Sequence, residues 1–337
     1  MIKLYKPACY DSFHCLASLC PDTCCQQWDI DIDPDTYRRY QALPGPLGQK
    51  IRASLQEGED GPVFSVSAGG QCPMHRADGL CAIQAELGEE ALCQVCREFP
   101  RLRHDYGDFV ELGLEMSCPE AARILLTAPD AAPIVQQLEG LGEGDYDQEA
   151  MDLLKKTRIQ ALALLREESL SLPEALTLLF FYGVHVQQQL DGEEAGEFSP
   201  AEALETARSL NTPGDIREMA RFFLGLDILT GEWKQRLSGP LSPSLHPKAR
   251  NLARYLVNRY WLQAVSDYDL YCRVKFILIS CLLVSSLGGD FIDTAHLWSK
   301  EIENDCDNLD AILDAAYESP VFTDSSLVSL VLFCRKC

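Results

Sequence analysis

The chain has 337 residues, 47% of them apolar and 24% charged, with a formal charge of −22. At roughly 100–200 residues per domain the length suggests two domains, and the apolar share is enough for a real core. The acidic excess disfavours nucleic acid as a partner, because phosphates call for Lys and Arg; it suits a basic partner or an exposed lysine.

In chain order, the opening Met1-Ile2-Lys3-Leu4-Tyr5-Lys6-Pro7 has neither an apolar centre nor a small-residue cleavage site, so no signal peptide is expected. Short helices are expected at Pro34–Ala42, 83–99 and Pro119–Thr127. Turn signals punctuate them at Pro44-Gly45-Pro46, 58–62 and Gly69-Gly70. Pro129, Pro133 and the run Gly140-Leu141-Gly142-Glu143-Gly144-Asp145 then mark a linker. From 148 onward the apolar spacing is helical, over 148–168, 173–190, 213–229, 247–265, 269–287 and 293–305. Ser171-Leu172-Pro173-Glu174 and Ser199-Pro200-Ala201-Glu202 read as capping boxes with proline in the first turn, and Thr212-Pro213 as a further helix start. The longest nearly apolar run, 276–284, is nine residues with Ser280 inside it, against the ~20 needed to span a bilayer. A cytoplasmic protein with no membrane partner is therefore expected. The expected fold class is mainly α: a loop-rich, Cys-based metal-binding domain at 1–128, a linker at 129–147 and an all-α helical domain at 148–337.

Fifteen cysteines in a reducing compartment need a reason other than disulfides. Ten fall within residues 1–118: Cys9, Cys15, Cys20, Cys24, Cys25, Cys72, Cys81, Cys93, Cys96 and Cys118. Cys15, Cys20, Cys24 and Cys25 form one tight cluster, and Cys72, Cys81, Cys93, Cys96 and Cys118 a second. A C-x2-C pair such as Cys93 and Cys96 wraps one zinc ion or a corner of an iron–sulfur cluster. All-thiolate sites select these soft metals. The βαβ context of a thioredoxin-like redox motif is absent. The five carboxy-terminal cysteines, Cys272, Cys281, Cys306, Cys334 and Cys337, read as small buried hydrophobes. His14 and His75 flank the clusters and read as exposed. Trp28 reads as packing over the metal loop, and Arg101 as a salt-bridge partner or a counter-charge to an anionic cluster.

Several strings resemble the flagellin lysine-N-methylase family. The first is Phe13-His14-Cys15 with Cys20-Pro21-Asp22-Thr23-Cys24-Cys25-Gln26-Gln27-Trp28, and the second is Cys72-Pro73-Met74 with Asp78-Gly79-Leu80-Cys81. Cys96-Arg97-Glu98-Phe99-Pro100-Arg101 and Ser117-Cys118-Pro119-Glu120 continue it. The same framework is similar to a broader group of short zinc- or iron-chelating proteins. The resemblance implies methyl transfer from S-adenosylmethionine to lysines of flagellin, or of another lysine-bearing surface protein. It also implies a [4Fe–4S] cluster, with zinc as the alternative. Matched by position, Cys15, Cys20, Cys24, Cys25, Cys72, Cys81, Cys96 and Cys118 are the implied metal ligands; Cys93 falls where the family pattern has no fixed cysteine. A non-enzymatic metal carrier and a structural-zinc adaptor are the competing readings. No donor site is legible. Glu139 to Gly144 is one residue short of E-x-G-x-G-x-G, and Gln27 stands where a radical C-x3-C-x2-C loop needs its third cysteine. No catalytic residue is singled out.

Overall fold

The computed structural model describes residues 2–58, 61–67, 69–140, 142–210 and 214–333. The expected helix start at Thr212-Pro213, the pair Cys334 and Cys337, and Leu141 of the glycine run lie outside the described residues. Among the described residues the chain is mainly α, with fifteen α-helices.

The amino-terminal part also carries two small sheets, where loops and short helices are expected. In the first, Ile2–Lys6 lies between Phe109–Leu114, parallel to it, and Ile134–Leu138, antiparallel to it; Arg101–Asp105 completes the edge as a hairpin with Phe109–Leu114. The segment read as a linker thus contributes a strand, and an exposed one, which is why its sequence lacks a buried-strand pattern. A glycine of the neighbouring hairpin makes room for this segment. The hairpin turn needs Gly107 at φ +87°, and a Cβ there would meet the Glu143 carbonyl oxygen at 2.2 Å. The second sheet places Pro62–Phe64 between Ile30–Asp31 and Leu55–Glu57.

The helices follow from local signals. Asp33 caps Pro34–Ala42 by accepting from the Thr36 N–H, and Ser171 and Glu174 complete a capping box at Leu172–Leu190. The expected helix over 83–99 is broken into Ala82–Leu87, a short 3-10 turn and Gln94–Glu98, because Gly88 takes φ +86° and ends the first piece. Gly231–Ser238, Cys306–Glu318 and Asp324–Phe333 are helices beyond those expected.

The longest nearly apolar run sits in Tyr271–Ser286, which buries every residue except Tyr271 and Ser285. A helix apolar all round belongs at the centre of a bundle, and Leu172–Leu190, Ala249–Tyr260 and Phe291–Ile302 pack about it in one core. No described helix is long and apolar enough to cross a membrane. Trp261 is fully buried there and donates from Nε1 to Thr157 at 3.2 Å, which satisfies its polar edge. Phe109, Met116, Ala122 and Leu126 belong to the same core. The helix Pro119–Thr127 therefore ties the cysteine-rich part to the bundle, and Asn251 donates to the Leu126 carbonyl at 2.9 Å.

Candidate functional site

The cysteines of the first third separate into two groups, and the division is not the one their order along the chain suggests. Cys24, Cys25, Cys72, Cys81, Cys93 and Cys96 line one cavity of about 20 Å³, walled by Ile30, Tyr40, Phe64, Met74, Ile83 and Leu92. Three segments converge here. The Cys72 N–H donates to the Cys25 carbonyl at 2.9 Å, and Ala82, beside Cys81, donates to Met74 at 2.8 Å. Cys93 caps the short helix that carries Cys96. Cys93, outside the family pattern, is thus a full member of this group and is almost wholly buried.

The thiols perturb one another as closely set acids do. The neighbouring Cys24 thiol, with burial, pushes Cys25 up to about 12, while Cys81 partly offsets it. Cys93 and burial drive Cys96 far up, whereas the hydrogen bond from Cys96 lowers Cys93. Cys25, Cys72, Cys81 and Cys96, all raised, hold their protons until something positive replaces them.

Cys15, Cys20 and Cys118 stand apart from it. None of them lines the cavity. Cys118 packs with Phe13, Leu114, Ala121 and Ile124, while Cys72 and Cys93 belong to a separate apolar cluster around Ile51 and Phe64. Burial raises Cys118 to about 11, with a further push from Cys20 and Cys15. Cys9 borders this cluster. Cys272 and Cys281 are buried in the bundle, as expected of small hydrophobes, but Cys306 is exposed.

The flanking residues are placed as follows. His14 is exposed. His75 is half-buried, with its Nε2 enclosed and without a partner among the described residues. Trp28 packs against the cluster around the cavity and tilts against Phe99. Arg101 lies over the Phe13 ring, 5.2 Å from its centre, in place of a salt bridge.

A buried polar seam runs from the cysteine loop into the bundle. His296, Ser299, Lys300 and Glu303 recur at helical spacing on and just past Phe291–Ile302. Asp22, midway between Cys20 and Cys24, accepts from His296 Nε2 at 2.9 Å and Lys300 Nζ at 2.7 Å through one oxygen. Burial opposes its charge, but those two hydrogen bonds outweigh burial and hold its carboxyl well below the usual range. Lys300 also lies over the Trp28 ring. Further along, the fully enclosed Glu303 carboxylate accepts from Tyr260 at 2.9 Å, Ser299 at 2.6 Å and Arg259 Nε at 3.0 Å. Tyr255 adds bonds of 3.1 Å to both of its oxygens. Arg259 reaches Glu115 as well, at 3.6 Å, and burial, against the pull of Arg259, lifts Glu115 to about 7. Sequence reading passes over this seam. The available signal was four polar residues at i, i+3, i+4 and i+7 along one face of a helix.

Among the described residues, no group of three or more His, Cys, Asp or Glu side chains is placed to hold a single metal ion. The donor chemistry of the cavity nonetheless fits a thiophilic metal. Its volume, about 20 Å³, has room for about one water molecule, so a multi-atom cluster requires the three segments to part.

Fold and site together define a mainly α protein with a thiol-rich amino-terminal part clamped to a helical bundle. The chain is 35% identical over 136 residues to the flagellar biosynthetic protein FliU of Salmonella muenchen, a match covering 39% of this chain and 80% of that protein. It is 33% identical over 142 residues to lysine-N-methylases of Salmonella typhimurium and Salmonella choleraesuis, covering 40% of this chain but only 35% of each of them. The chain belongs to the flagellin lysine-N-methylase family. No family profile matches it, and neither does any solved structure.

Proposed function

We propose that the chain is a protein-lysine N-methyltransferase, moving methyl from S-adenosylmethionine to lysines of flagellin or of another lysine-bearing surface protein in the cytoplasm. The observation that carries this reading is the 33% identity to two lysine-N-methylases. In the reaction the neutral ε-amine of lysine attacks the sulfonium methyl. An N–C bond forms, the C–S bond breaks, and S-adenosylhomocysteine leaves as the amine gives up a proton. The acidic surface favours approach of the lysine-bearing partner.

In the same reading, Cys24, Cys25, Cys72, Cys81, Cys93 and Cys96 hold a [4Fe–4S] cluster, with a zinc ion as the alternative occupant. Six thiols around one cavity exceed the four that close a cluster. When bound, such a cluster supplies iron and redox chemistry, while the chain's own residues supply thiolates and exclude water. The wall of Tyr40, Phe64, Met74 and Leu92 gives the cavity an apolar lining, which tunes a metal site by limiting solvent.

Two measurements test the reading. Chain purified without oxygen and mixed with labelled S-adenosylmethionine and flagellin is expected to place label on lysines; a metal-replete chain that labels neither flagellin nor cell-envelope proteins overturns it. Cys93→Ser is expected to lose iron and acid-labile sulfide, while Cys9→Ser keeps them. Zinc without iron or sulfide in the wild type replaces the cluster by a zinc ion.

A further inference from the structure

We propose that the outer edge of the strand Ile134–Leu138 is a docking site for an extended, lysine-bearing segment of the protein substrate, which adds to the four-stranded sheet as a fifth strand. That the partner is the substrate rests on the methyl-transfer reading; the open edge does not.

The strand is uncovered on three sides. Among the described residues it pairs with Ile2–Lys6 on one edge and with nothing on the other. Both of its faces are open, and only Leu138 is half-covered. Ile134 and Val135 are 39% and 53% exposed. The strand itself carries no charge, and Pro133 and Gly140 bound it. A free edge presents a row of backbone N–H and C=O groups with which an incoming strand can pair. The opposite edge of the same sheet is guarded against this in the usual way. Arg101, Arg103 and Asp105 stand exposed along it, and Arg103 pairs with Asp105 at 2.9 Å. One edge is thus closed to strand addition and the other left open.

Charge selects the occupant. Glu139, Glu143 and Asp145 follow the strand, are exposed and have no ion-pair partner among the described residues. Asp130, ahead of it, is already tied to Arg166 and Arg254. On the neighbouring strand Lys3 is exposed beside Gln137, while Lys6 is held by Asp11. The surplus where the strand ends is therefore negative, on a chain whose formal charge is −22, and it suits lysines on the incoming strand. Alternation adds a second match. Ile134, Gln136 and Leu138 face one side of the sheet and Val135 and Gln137 the other, so each face offers the added strand an apolar side chain. A second copy of this chain fits less well. It brings another −22, and five residues a side fall short of the roughly 20–30 of a standard stable interface. A short ladder suits a partner that leaves once it has been modified.

Backbone hydrogen exchange on the full chain, read by mass spectrometry, tests the docking. One probe is a short peptide of alternating lysine and threonine, which favours an extended strand. The other is the same peptide methylated on every backbone nitrogen, which keeps the charge and removes the ladder donors. The first is expected to slow exchange over 134–138, and the second to leave it unchanged. Val135→Lys sets a cation on the edge, and Glu139→Lys/Glu143→Lys reverses the flank. Each is expected to weaken binding of the first peptide about tenfold, by fluorescence anisotropy. Asp310→Lys/Asp314→Lys, the same change of charge at exposed positions of Cys306–Glu318, is expected to leave it within about twofold. Circular dichroism confirms that each variant is folded. Equal binding of the two peptides, or no slowing over 134–138, overturns strand addition. Slowing over 134–138 without peptide that grows with chain concentration gives the edge to a second copy and overturns the proposal. For the protein substrate, Val135→Lys is expected to raise KM about tenfold, with Asp310→Lys/Asp314→Lys unchanged. A Val135→Lys chain with the wild-type KM overturns substrate docking. A wild type that transfers no methyl overturns the methyl-transfer reading instead, and the exchange measurement then decides alone whether the edge takes a basic strand.

Discussion

Replacing Asp22 with asparagine keeps the shape of the side chain and removes the charge that holds Lys300 and His296. The Lys300 side chain is 2% exposed and that of Asp22 24%. Breaking a buried ion pair by removing one partner costs about 3–5 kcal/mol, because the other charge is left without compensation. Asp22 is a quarter open to water, which screens part of that loss, so we expect about 2–3 kcal/mol. Unfolding entropy near ~2.1 cal/mol/K per residue gives ~0.7 kcal/mol/K for a chain of this size, so Tm is expected to fall by ~3–4 °C. Differential scanning calorimetry on Asp22→Asn measures this. Asp11→Asn is the control: Asp11 pairs with Lys6 but is 63% exposed, and such surface pairs contribute about 0–1 kcal/mol. Adding Lys300→Met to Asp22→Asn is expected to recover part of the loss, since no bare charge is then buried. An Asp22→Asn chain that melts with the wild type, or a control that falls as far, would refute the reasoning.

Two further outcomes follow from the core. Glu115 is held near 7 in the folded chain against 4.5 for a free glutamate. Its contribution to stability is therefore complete below about pH 4.5 and is lost as pH rises through about 7; Tm should climb from about pH 8 to about pH 6, and Glu115→Gln should flatten that rise. Gly183 faces Val274, where an added Cβ would lie 2.4 Å from a methyl group. Although alanine is favoured over glycine in helices by about 1 kcal/mol, Gly183→Ala should therefore destabilise the chain by roughly 1–3 kcal/mol in urea unfolding. A more stable Gly183→Ala variant would show that the two helices can separate.

What was legible in the sequence was whatever local chemistry encodes. Pro34–Ala42 and Pro119–Thr127 form at the expected bounds because an early proline sets each start, joined at the first by the Asp33 cap. Most of the bundle helices were written in their apolar spacing, though Gly231–Ser238, Cys306–Glu318 and Asp324–Phe333 were not read. The strands were not, since Ile2–Lys6 pairs with partners more than a hundred residues away and Ile134–Leu138 is exposed on its edge. The cysteines were legible as a set but not in their grouping. Cys24 and Cys25 reach Cys72, Cys81, Cys93 and Cys96, while Cys20, four residues earlier, lies outside the cavity they line. A kinship in spacing also set Cys93 aside, where burial and contact put it among the six. The polar seam around Glu303 was hidden because each member is unremarkable singly, and only the fold brings Tyr255, Tyr260 and Arg259 onto one carboxylate.

The bond from His296 to Asp22 spans 274 residues of chain, and that from Lys300 spans 278. Synthesis runs from the amino terminus, so the thiol-bearing loop emerges from the ribosome long before the helix that grips it. Throughout that interval its cysteines are chemically available while their final surroundings do not exist. Whatever reacts with thiols early meets a loose loop, and later it meets one that the bundle has already pinned. The order of events during biosynthesis thus sets the surroundings in which those thiols first react.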